Sequence, residues 1–373
     1  MSRILFVTND FPPRPGGIQV FVHALTLRRP PGSVVVYAPA WRGAAAFDAR
    51  QPYPVIRHPS TVMLPVGSVA RRAARIAARF GCDTVVFGAA LPLGLLAPEL
   101  RKAGIRRIIA ISHGHEAGWA SWFPATRMLR RIGSSVDVIT YLGEYTRVRL
   151  ARAVPGRTRL ARLAPGVDTR VFRPGAGGAV IRRRYGLGGR PVVVCVSRLV
   201  PRKGQDTLIR CWPRVLARVP EAALLVVGGG PYRRRLERLA ATLGVGASVT
   251  FAGSVPWSEL PAHYDAGDVF AMPCRTRLFG LDVEGLGIVY LEAAATGLPV
   301  VAGASGGAPD AVLPGETGHV VDGRSPDAVA GALVGLLTDE AHAKAMGEKG
   351  RAWIEREWHW DLVAERFACL LDG

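Results

Sequence analysis

The sequence predicts an α/β fold made of two Rossmann-like domains that face each other across a cleft. The chain has 373 residues, enough for about two domains at roughly 100–200 residues each. Short apolar runs rich in β-branched residues alternate with longer amphipathic segments, as in parallel sheets covered by helices. The alternation pauses between residues 151 and 190, where many Pro and Gly residues indicate a domain linker.

The elements are assigned in chain order from these patterns. Apolar runs predict five strands in the first half of the chain: Ile4–Thr8, Val34–Ala38, Thr84–Gly88, Arg107–Ser112 and Val136–Leu142. Six more are predicted in the second half: Val192–Ser197, Ala223–Val227, Ser248–Ala252, Val269–Met272, Pro299–Ala302 and His319–Val321. Helical spacing predicts intervening helices at Ser68–Phe80, Thr207–Val219, Arg233–Leu243, Pro326–Leu337 and Asp339–Glu357. We therefore place the two domains at residues 1–165 and 166–357.

Composition excludes several classes of protein. Hydrophobic residues make up 49% of the chain and charged residues 21%, which is globular and not disordered or collagenous. Apolar stretches fall short of the ~20 residues that span a bilayer, and the N-terminus lacks the apolar region of a signal peptide. The five cysteines are widely spaced without a CxxC pair, which favours buried, reduced thiols over disulfides or zinc. We expect a cytoplasmic protein.

Positive charge is concentrated in the first half of the chain. Residues 1–165 carry 24 Lys and Arg against 7 Asp and Glu, whereas residues 166–373 carry 24 against 22. This asymmetry indicates an anionic partner for the first domain: nucleic acid, acidic lipid or a phosphorylated substrate.

Two loops that follow strands of the first domain carry candidate functional residues. The first strand leads through Asp10 to Gly16-Gly17, where backbone N–H groups at a helix start suit a phosphate. An ordinary turn is the alternative, because the loop is not a GxGxxG motif. The fourth strand runs into His113-Gly-His115-Glu, whose titratable side chains mark a candidate polar site. An incidental histidine-containing loop is the alternative there.

Two cations five residues apart follow the first strand of the second domain. Arg198 and Lys203 stand at the strand end and the start of the next helix, where a guanidinium and an ammonium can clamp a diphosphate. Arginine is the usual cation of this chain, so retention of Lys203 suggests that a compact ammonium is needed. The next strand ends in Gly228-Gly229-Gly230, which either lets a ligand approach the backbone or forms a plain turn.

A glycine-rich loop with two carboxylates follows later in the second domain. Glu284 lies in the loop, and Glu292 lies eight residues on, inside a helix that is predicted to start near Gly285–Gly287. Free N–H groups at the helix start favour an anion, and carboxylates accept hydrogen bonds from hydroxyl groups. The combination describes a sugar nucleotide, although surface glutamates would give the same spacing.

Taken in order, these segments resemble the retaining glycosyltransferases of family 4, which have the GT-B fold. The resemblance covers nearly the whole chain through TNDFPPRPGGIQ, SHGHEAGW, SRLVPRKGQD, VGGGP, GLDVEGLGIVYLEA, TGLPVVA and SGGAP. Within the family, the motifs are most similar to actinobacterial phosphatidylinositol mannosyltransferases of the PimB type. One departure is Asp310, where the family commonly has Glu.

The resemblance implies a function. Mannose would move from GDP-mannose, a donor substrate and not a cofactor, to a mannosylated phosphatidylinositol at the cytosolic membrane face. The leaving phosphate would help to deprotonate the acceptor, with retention of configuration. By analogy, the C-terminal segment, residues 358–373, would pack back on the first domain.

The resemblance also implies roles for individual residues. In the second domain, Arg198 and Lys203 would bind the donor diphosphate, Glu284 the hydroxyls of the transferred sugar and Glu292 the ribose. The rest of the donor site would comprise Gly16, Gly17, Gly229, Val255, Gly287 and Ile288. In the first domain, His113 would face the reacting sugar, with His115 as the alternative, and Asp10 would face the acceptor.

The first domain has features of a membrane-docking surface. The predicted helix Ser68–Phe80 carries Arg71, Arg72, Arg75 and Arg79 beside Val69, Ile76 and Phe80, and Trp119 and Trp122 follow the histidine motif. Basic and aromatic side chains of this kind bind an anionic leaflet. We therefore expect peripheral contact with anionic phospholipid, with a solvated arginine face as the alternative.

Other functions stay open at this point. A family 4 transferase could use a UDP-sugar and a soluble or polyprenyl acceptor, since the diphosphate and ribose motifs are shared. A nucleic-acid-binding protein would explain the basic half, but the chain lacks helix-turn-helix, zinc and RRM signatures. An inactive GT-B scaffold conflicts with the intact cation pair and both glutamates. No D-x-D occurs in the sequence, so we predict a metal-independent enzyme; the oligomeric state is left open.

Overall fold

The chain folds into two compact units in the computed structural model, which describes residues 3–114, 116, 118, 123–156 and 158–372. The first unit comprises Met1–Pro165 together with Asp361–Gly373, and the second comprises Gly166–Trp360. Each unit has its own parallel sheet, so each can be described by itself.

The first unit is built on a seven-stranded parallel sheet in the order β3-β2-β1-β4-β5-β6-β7. Its central strands are continuously buried because helices cover both faces, as their uninterrupted apolar runs predict. The strands are β1 (Arg3–Val7), β2 (Val34–Pro39), β3 (Val55–His58), β4 (Cys82–Phe87), β5 (Arg107–Ala110), β6 (Val138–Tyr141) and β7 (Arg159–Arg162). The helices are α1 (Gly17–Leu27), α2 (Ala44–Asp48), α3 (Gly67–Phe80), α4 (Ala97–Lys102), α5 (Phe123–Gly133) and α6 (Glu144–Ala153).

The prediction missed both edge strands of this sheet. Strands β3 and β7 read VIRH and RLAR, and no residue of either is fully buried. An edge strand has one neighbour and an exposed side, so neither segment shows the continuous apolar run used to find the others. The predicted pause between residues 151 and 190 is therefore wrong in part, and the strand before His113 is the fifth, not the fourth.

The second unit is built on a six-stranded parallel sheet in the order β10-β9-β8-β11-β12-β13. Its strands are β8 (Val192–Val196), β9 (Ala223–Val227), β10 (Val249–Gly253), β11 (Val269–Met272), β12 (Val300–Gly303) and β13 (Gly318–Val321). The helices are α7 (Gly178–Arg184), α8 (Gln205–Arg218), α9 (Arg233–Thr242), α10 (Leu260–Asp265), α11 (Ile288–Ala295), α12 (Pro326–Thr338) and α13 (Glu340–Glu357). All six predicted strands of this half are present within one or two residues, which confirms the α/β class.

The last helix, α14 (Trp360–Asp372), packs on the first sheet. Phe367 is buried with its ring centroid 5.9 Å from that of Phe6 in β1, and the Leu370 carbonyl accepts a 2.7 Å hydrogen bond from Arg107 Nε. Trp358, assigned to the returning segment from the sequence, belongs to the second unit, where its carbonyl accepts a hydrogen bond from the Val167 N–H.

Two expectations from composition bear on the fold. Four cysteines are buried and reduced, and burial raises the pKa of the Cys195 thiol to about 12. Cys369 differs, because it is exposed on α14. Within the described ranges, no helix is both long and apolar enough to cross a membrane.

Candidate active site

Loops at the carboxyl ends of the second sheet bring the predicted donor residues together. After β8 the chain forms a short 3₁₀ turn, Pro201–Lys203, and then enters α8 through Gly204. Gly204 has φ +78°, and a Cβ there would lie 1.9 Å from the Pro273 carbonyl oxygen. Only glycine fits this close approach, which holds Lys203 in a buried position beside the loop that follows β11.

Lys203 forms an ion pair with Glu284, another of the predicted donor-site residues of this unit. Its Nζ lies 2.6 Å from Oε2 of Glu284, and both residues are less than 10% exposed. The sequence placed both residues at one ligand site but did not predict their direct contact. The pair satisfies both charges within the protein, as buried charges require.

The backbone around Glu284 is fixed by the loop after β12. The Glu284 carbonyl accepts a 2.8 Å hydrogen bond from the Gly307 N–H, and a Cβ on Gly306 would lie 2.1 Å from that carbonyl. The SGGAP motif therefore supports the Glu284 loop by close packing. Gly287, with φ +80°, precedes α11 as its N-cap, so the helix starts at Ile288, directly after the predicted Gly285–Gly287.

Sequence reasoning missed three charged residues of this cluster. Arg202 donates from Nη1 to Oδ1 of Asp282 at 3.4 Å, and its Nε lies 3.8 Å from Oε2 of Glu284. Arg277 approaches the other Asp282 oxygen at 3.5 Å. The signal was present, because Arg202 lies in the SRLVPRKGQD motif beside Lys203 and Asp282 lies in the GLDVEGLGIVYLEA motif two residues before Glu284, but neither was assigned a role.

The side chain of Arg198 is exposed at the end of β8. Its carbonyl accepts a 3.1 Å hydrogen bond from Gln205 Nε2, which also donates to Ser197 Oγ at 2.7 Å. Gln205 thus anchors the backbone of the loop and leaves the guanidinium in solvent. The structure does not join Arg198 and Lys203 to a common partner, so the diphosphate clamp stays a prediction.

The three glycines after β9 pack against protein. A Cβ on Gly228 would lie 2.0 Å from the Ser197 carbonyl oxygen, one on Gly230 would lie 2.4 Å from that of Leu199, and one on Gly229 would lie 2.4 Å from Ser254 Oγ. Loop packing is therefore sufficient to explain all three glycines. The predicted donor contacts of Gly229 and of the half-buried Val255 stay predictions.

Glu292 lies inside α11 and accepts a 2.7 Å hydrogen bond from the Tyr264 hydroxyl. Burial disfavours the charged form of a carboxyl and raises the pKa of Glu292 to about 7. Burial also raises the pKa of Tyr264 well above its usual value, so the tyrosine stays a hydrogen-bond donor. Tyr264 is a second contact that the sequence did not indicate.

In the first unit, Asp10 is held at the carboxyl end of β1. Its Oδ1 accepts a 2.7 Å hydrogen bond from Nε2 of the buried Gln19, and its N–H donates to Thr8 Oγ1 at 2.9 Å. Gly16 has φ +154°, and a Cβ there would lie 2.1 Å from Gln19 Oε1, whereas Gly17 starts α1 with open space around it. Gly16 therefore makes room for the side chain that orients Asp10.

His113 lies in the loop after β5 and is held on two sides. Its Nε2 lies 2.5 Å from the Gly88 carbonyl oxygen, and its backbone N–H donates to Oε2 of the buried Glu116 at 3.0 Å. Because a carbonyl can only accept, Nε2 carries the proton and Nδ1 is the acceptor in the neutral ring. His115, the alternative candidate, lies outside the described residues.

The basic helix α3 differs in part from its prediction. Arg71, Arg75 and Arg79 form an exposed stripe at a spacing of four residues, whereas Val69 and Ile76 are buried in the core. These two apolar side chains therefore cannot enter a membrane. The half-buried Arg72 also leaves the stripe, because it donates to the Arg57 carbonyl and its guanidinium lies 5.8 Å from the Tyr37 ring centroid.

Exposed apolar side chains occur just before α3 and at the start of α5. The segment before α3 exposes Val62, Leu64 and Val66, and the start of α5 exposes Phe123. Trp119 and Trp122 lie outside the described residues. Within the part of the chain that the structure describes, no cluster of three His, Cys, Asp or Glu residues is arranged to hold a metal ion.

Comparison with known proteins identifies the family. The model of the glycosyl transferases group 1 matches residues 179–353, and that of Glycosyltransferase Family 4 matches residues 15–171. The chain is 55% identical over its whole length to a Mycobacterium tuberculosis protein, of which it covers 99%. That relative is described as a GDP-mannose-dependent alpha-(1-6)-phosphatidylinositol monomannoside mannosyltransferase.

The chain belongs to glycosyltransferase family 4. A second relative, from Corynebacterium glutamicum, is 45% identical over the whole of this chain and 98% of its own. It is described as a GDP-mannose-dependent monoacylated alpha-(1-6)-phosphatidylinositol monomannoside mannosyltransferase. The Anabaena protein Alr3699/HepE in complex with UDP has the same fold, with a TM-score of 0.86 at 18% identity over 99% of both chains. The two Rossmann-like domains of this family 4 transferase are therefore those of the GT-B fold.

Proposed function

We propose that this family 4 transferase moves mannose from GDP-mannose to a monomannosylated phosphatidylinositol, with retention of configuration. The observation that carries the proposal is full-length identity of 55% to a relative described with this donor and acceptor class. The identity extends through both units, so it includes the acceptor half of the chain as well as the donor half.

The cations of the second unit suit the donor half of this reaction. Cleavage of the sugar–phosphate bond builds negative charge on the leaving diphosphate. A preorganised cation at that place lowers the barrier, because it need not reorganise during the reaction. The buried Lys203 and the exposed Arg198 flank one loop at the carboxyl end of β8 and are proposed to provide this charge.

Two carboxylates of the same unit suit hydroxyl groups of the donor. Glu284 is proposed to accept hydrogen bonds from the transferred sugar and Glu292 from the ribose. The Gly287–Ile288 backbone at the start of α11 offers N–H groups to the distal phosphate. These assignments account for an ammonium, two carboxylates and the start of a helix within the second unit.

The first unit is proposed to bind the lipid acceptor, with Asp10 and His113 near the reacting groups. Peripheral contact with the cytosolic leaflet is part of the proposal. The exposed stripe of Arg71, Arg75 and Arg79 can attract anionic lipid, and the exposed apolar residues Val62, Leu64 and Val66 lie just before it in the chain. This pairing of charge and apolar surface is that of an interfacial anchor.

Metal independence is also proposed. Arg198, Lys203 and the start of α11 would supply the positive field that a divalent cation provides in transferases with a D-x-D motif. Full activity in the presence of a chelator supports this, and a strict loss that magnesium or manganese restores contradicts it.

A transfer assay tests the function. Purified protein is mixed with radiolabelled GDP-mannose, UDP-glucose or UDP-N-acetylglucosamine, with and without phosphatidylinositol monomannoside in vesicles. We expect label in the lipid fraction from GDP-mannose alone, only with the acceptor present. The Lys203→Ala variant should lose this lipid label. The Lys349→Ala variant, which changes an exposed lysine of α13, should keep it. Lipid label from a UDP-sugar instead would overturn the donor assignment.

A further inference from the structure

Lys203 has two anionic partners if the proposed function holds. In the structure its Nζ lies 2.6 Å from Oε2 of Glu284, and in the reaction the same ammonium is proposed to bind the donor diphosphate. Glu284 is only 6% exposed. A buried carboxylate that loses its cation is strongly disfavoured, so movement of Lys203 toward the donor would leave Glu284 in need of another partner.

Arg202 is placed to be that partner. Its Nε lies 3.8 Å from the oxygen that Lys203 contacts, which is beyond hydrogen-bond distance. This Nε is buried, and among the described residues it has no hydrogen-bond acceptor. A buried N–H without an acceptor is costly, and a small rotation of the guanidinium would bring it to Glu284.

The other groups around Glu284 do not offer a positive charge. Cys274, in the loop after β11, and Tyr290, in α11, face it and are neutral, because burial raises the pKa of the thiol to about 12 and that of the phenol well above its usual value. Asp282, in the same loop as Glu284, is already approached by Arg202 and Arg277. Within the described part of this cluster, Arg202 is therefore the cation that can replace Lys203.

We propose that Arg202 is a positioning residue that takes over the pairing of Glu284 when a nucleoside diphosphate draws Lys203 away. The inference rests on the proposed function, because it uses the assignment of Lys203 to the donor diphosphate. Arg202 thereby keeps Glu284 paired and oriented toward the hydroxyls of the donor sugar. One cluster can then present an ammonium to the leaving group and a carboxylate to the sugar at the same time.

The affinity for GDP tests the exchange. Calorimetric titration with GDP gives the dissociation constant of each variant. We expect Arg202→Met to bind GDP about tenfold more weakly than the unmodified protein, because Lys203 cannot move to the diphosphate without leaving the buried Glu284 carboxylate unpaired.

Three further variants separate this role from a structural one. Arg202→Lys keeps a cation and should restore the affinity. The double variant Arg202→Met with Glu284→Gln should also regain affinity for GDP, because no carboxylate is left unpaired when Lys203 moves to the diphosphate. Arg277→Met, which removes a cation that contacts Asp282 and not Glu284, should behave as the unmodified protein does. Thermal unfolding of each variant shows that it is folded; if Arg202→Met is not, Arg202→Gln takes its place.

The outcomes distinguish this inference from the proposed function. If Arg202→Met binds GDP with unchanged affinity, or if adding Glu284→Gln does not restore a lost affinity, the role of Arg202 is wrong even where mannose transfer continues. If the unmodified protein binds GDP but makes no mannolipid, the proposed acceptor reaction fails while the GDP affinities of the variants still decide the role of Arg202. Failure of the unmodified protein to bind GDP overturns both.

Discussion

The Tyr264 hydroxyl donates a 2.7 Å hydrogen bond to Oε2 of Glu292, and burial raises the pKa of that carboxyl to about 7. The hydrogen bond favours the charged form of the carboxyl, but burial opposes it more strongly. Near neutral pH the proposed ribose-binding residue is therefore divided between its charged and neutral forms. A bound ribose hydroxyl would add a second donor and favour the charged form.

Stability should fall as the pH rises through the window set by Glu292. At a pH below 4.5, the usual pKa of a glutamate, the Glu292 carboxyl is protonated in both the folded and the unfolded protein. Between pH 4.5 and about 7 the folded protein retains a proton that the unfolded chain releases. The free energy of unfolding should drop across that window by about 2–3 kcal/mol and level off above it. The Glu292→Gln variant should not show this drop in the free energy of unfolding. Denaturant unfolding from pH 4.5 to 8 measures it. Glu348→Gln, at an exposed position of α13, is the control and should keep the drop.

The effects of substituting Lys203 and Glu284 on the free energy of unfolding should be strongly coupled. Lys203→Met alone takes its nearest cation from a buried carboxylate, a change that costs about 3–5 kcal/mol in the free energy of unfolding, and pairing of Glu284 with Arg202 would offset part of this loss. Adding Glu284→Gln removes the stranded charge and should recover most of this loss. A double-mutant cycle by urea denaturation measures the coupling. Additive losses from the two substitutions would mean that the contact contributes little.

The two adjacent glycines before and at the start of α1 should respond differently to alanine. Gly16→Ala places a Cβ against Gln19 Oε1 at a positive φ, so we expect a loss of about 1–3 kcal/mol in stability and a displaced Asp10. Gly17→Ala has open space in a helix and should be neutral or slightly stabilising. Thermal unfolding compares the two, and acceptor KM reports the displacement of Asp10. Equal losses at both positions would contradict the steric argument.

Most of the predicted strands that proved correct have neighbours on both sides. Strand β9, for example, reads ALLVV and is buried at every residue, so its sequence alone distinguishes it from a loop. The edge strands β10 and β13 of the second sheet were also found, because VTFAG and GHVV still contain apolar residues that indicate a strand. Strands β3 and β7 lie at sheet edges, and their polar residues face partly outward. Their position becomes evident only once the rest of the sheet is known.

The candidate site, like the fold, could be predicted from the sequence only in part. Loop glycines and charged residues at strand ends are visible in sequence, and this is how Lys203 and Glu284 were found. Contacts that depend on which loops meet are not visible, and this is why the sequence analysis missed Arg202 beside Glu284 and Tyr264 beside Glu292. Likewise, periodicity gave helix α3, but only packing shows that Arg71 faces solvent while Ile76 faces the core.

The exposed stripe of α3 should control binding to anionic membranes. Replacing Arg71, Arg75 and Arg79 with Gln removes three charges at a surface, each worth about 1 kcal/mol near anionic lipid. We therefore expect binding to vesicles rich in phosphatidylinositol to weaken by roughly tenfold to hundredfold, with a shallower dependence on salt. Cosedimentation at several salt concentrations measures both quantities.

The matched control is a triple variant of exposed arginines on helices of the second unit, Arg210, Arg234 and Arg238. This control removes the same net charge. If only the α3 variant loses binding to anionic vesicles, the loss reflects a docking surface and not a general effect of charge. Phosphatidylcholine vesicles, which carry no net charge, should bind the unmodified protein weakly at every salt concentration. Equal weakening by both triple variants would place the attraction in the protein's overall charge, and equal binding to neutral and anionic vesicles at low salt would contradict electrostatic docking by the first unit.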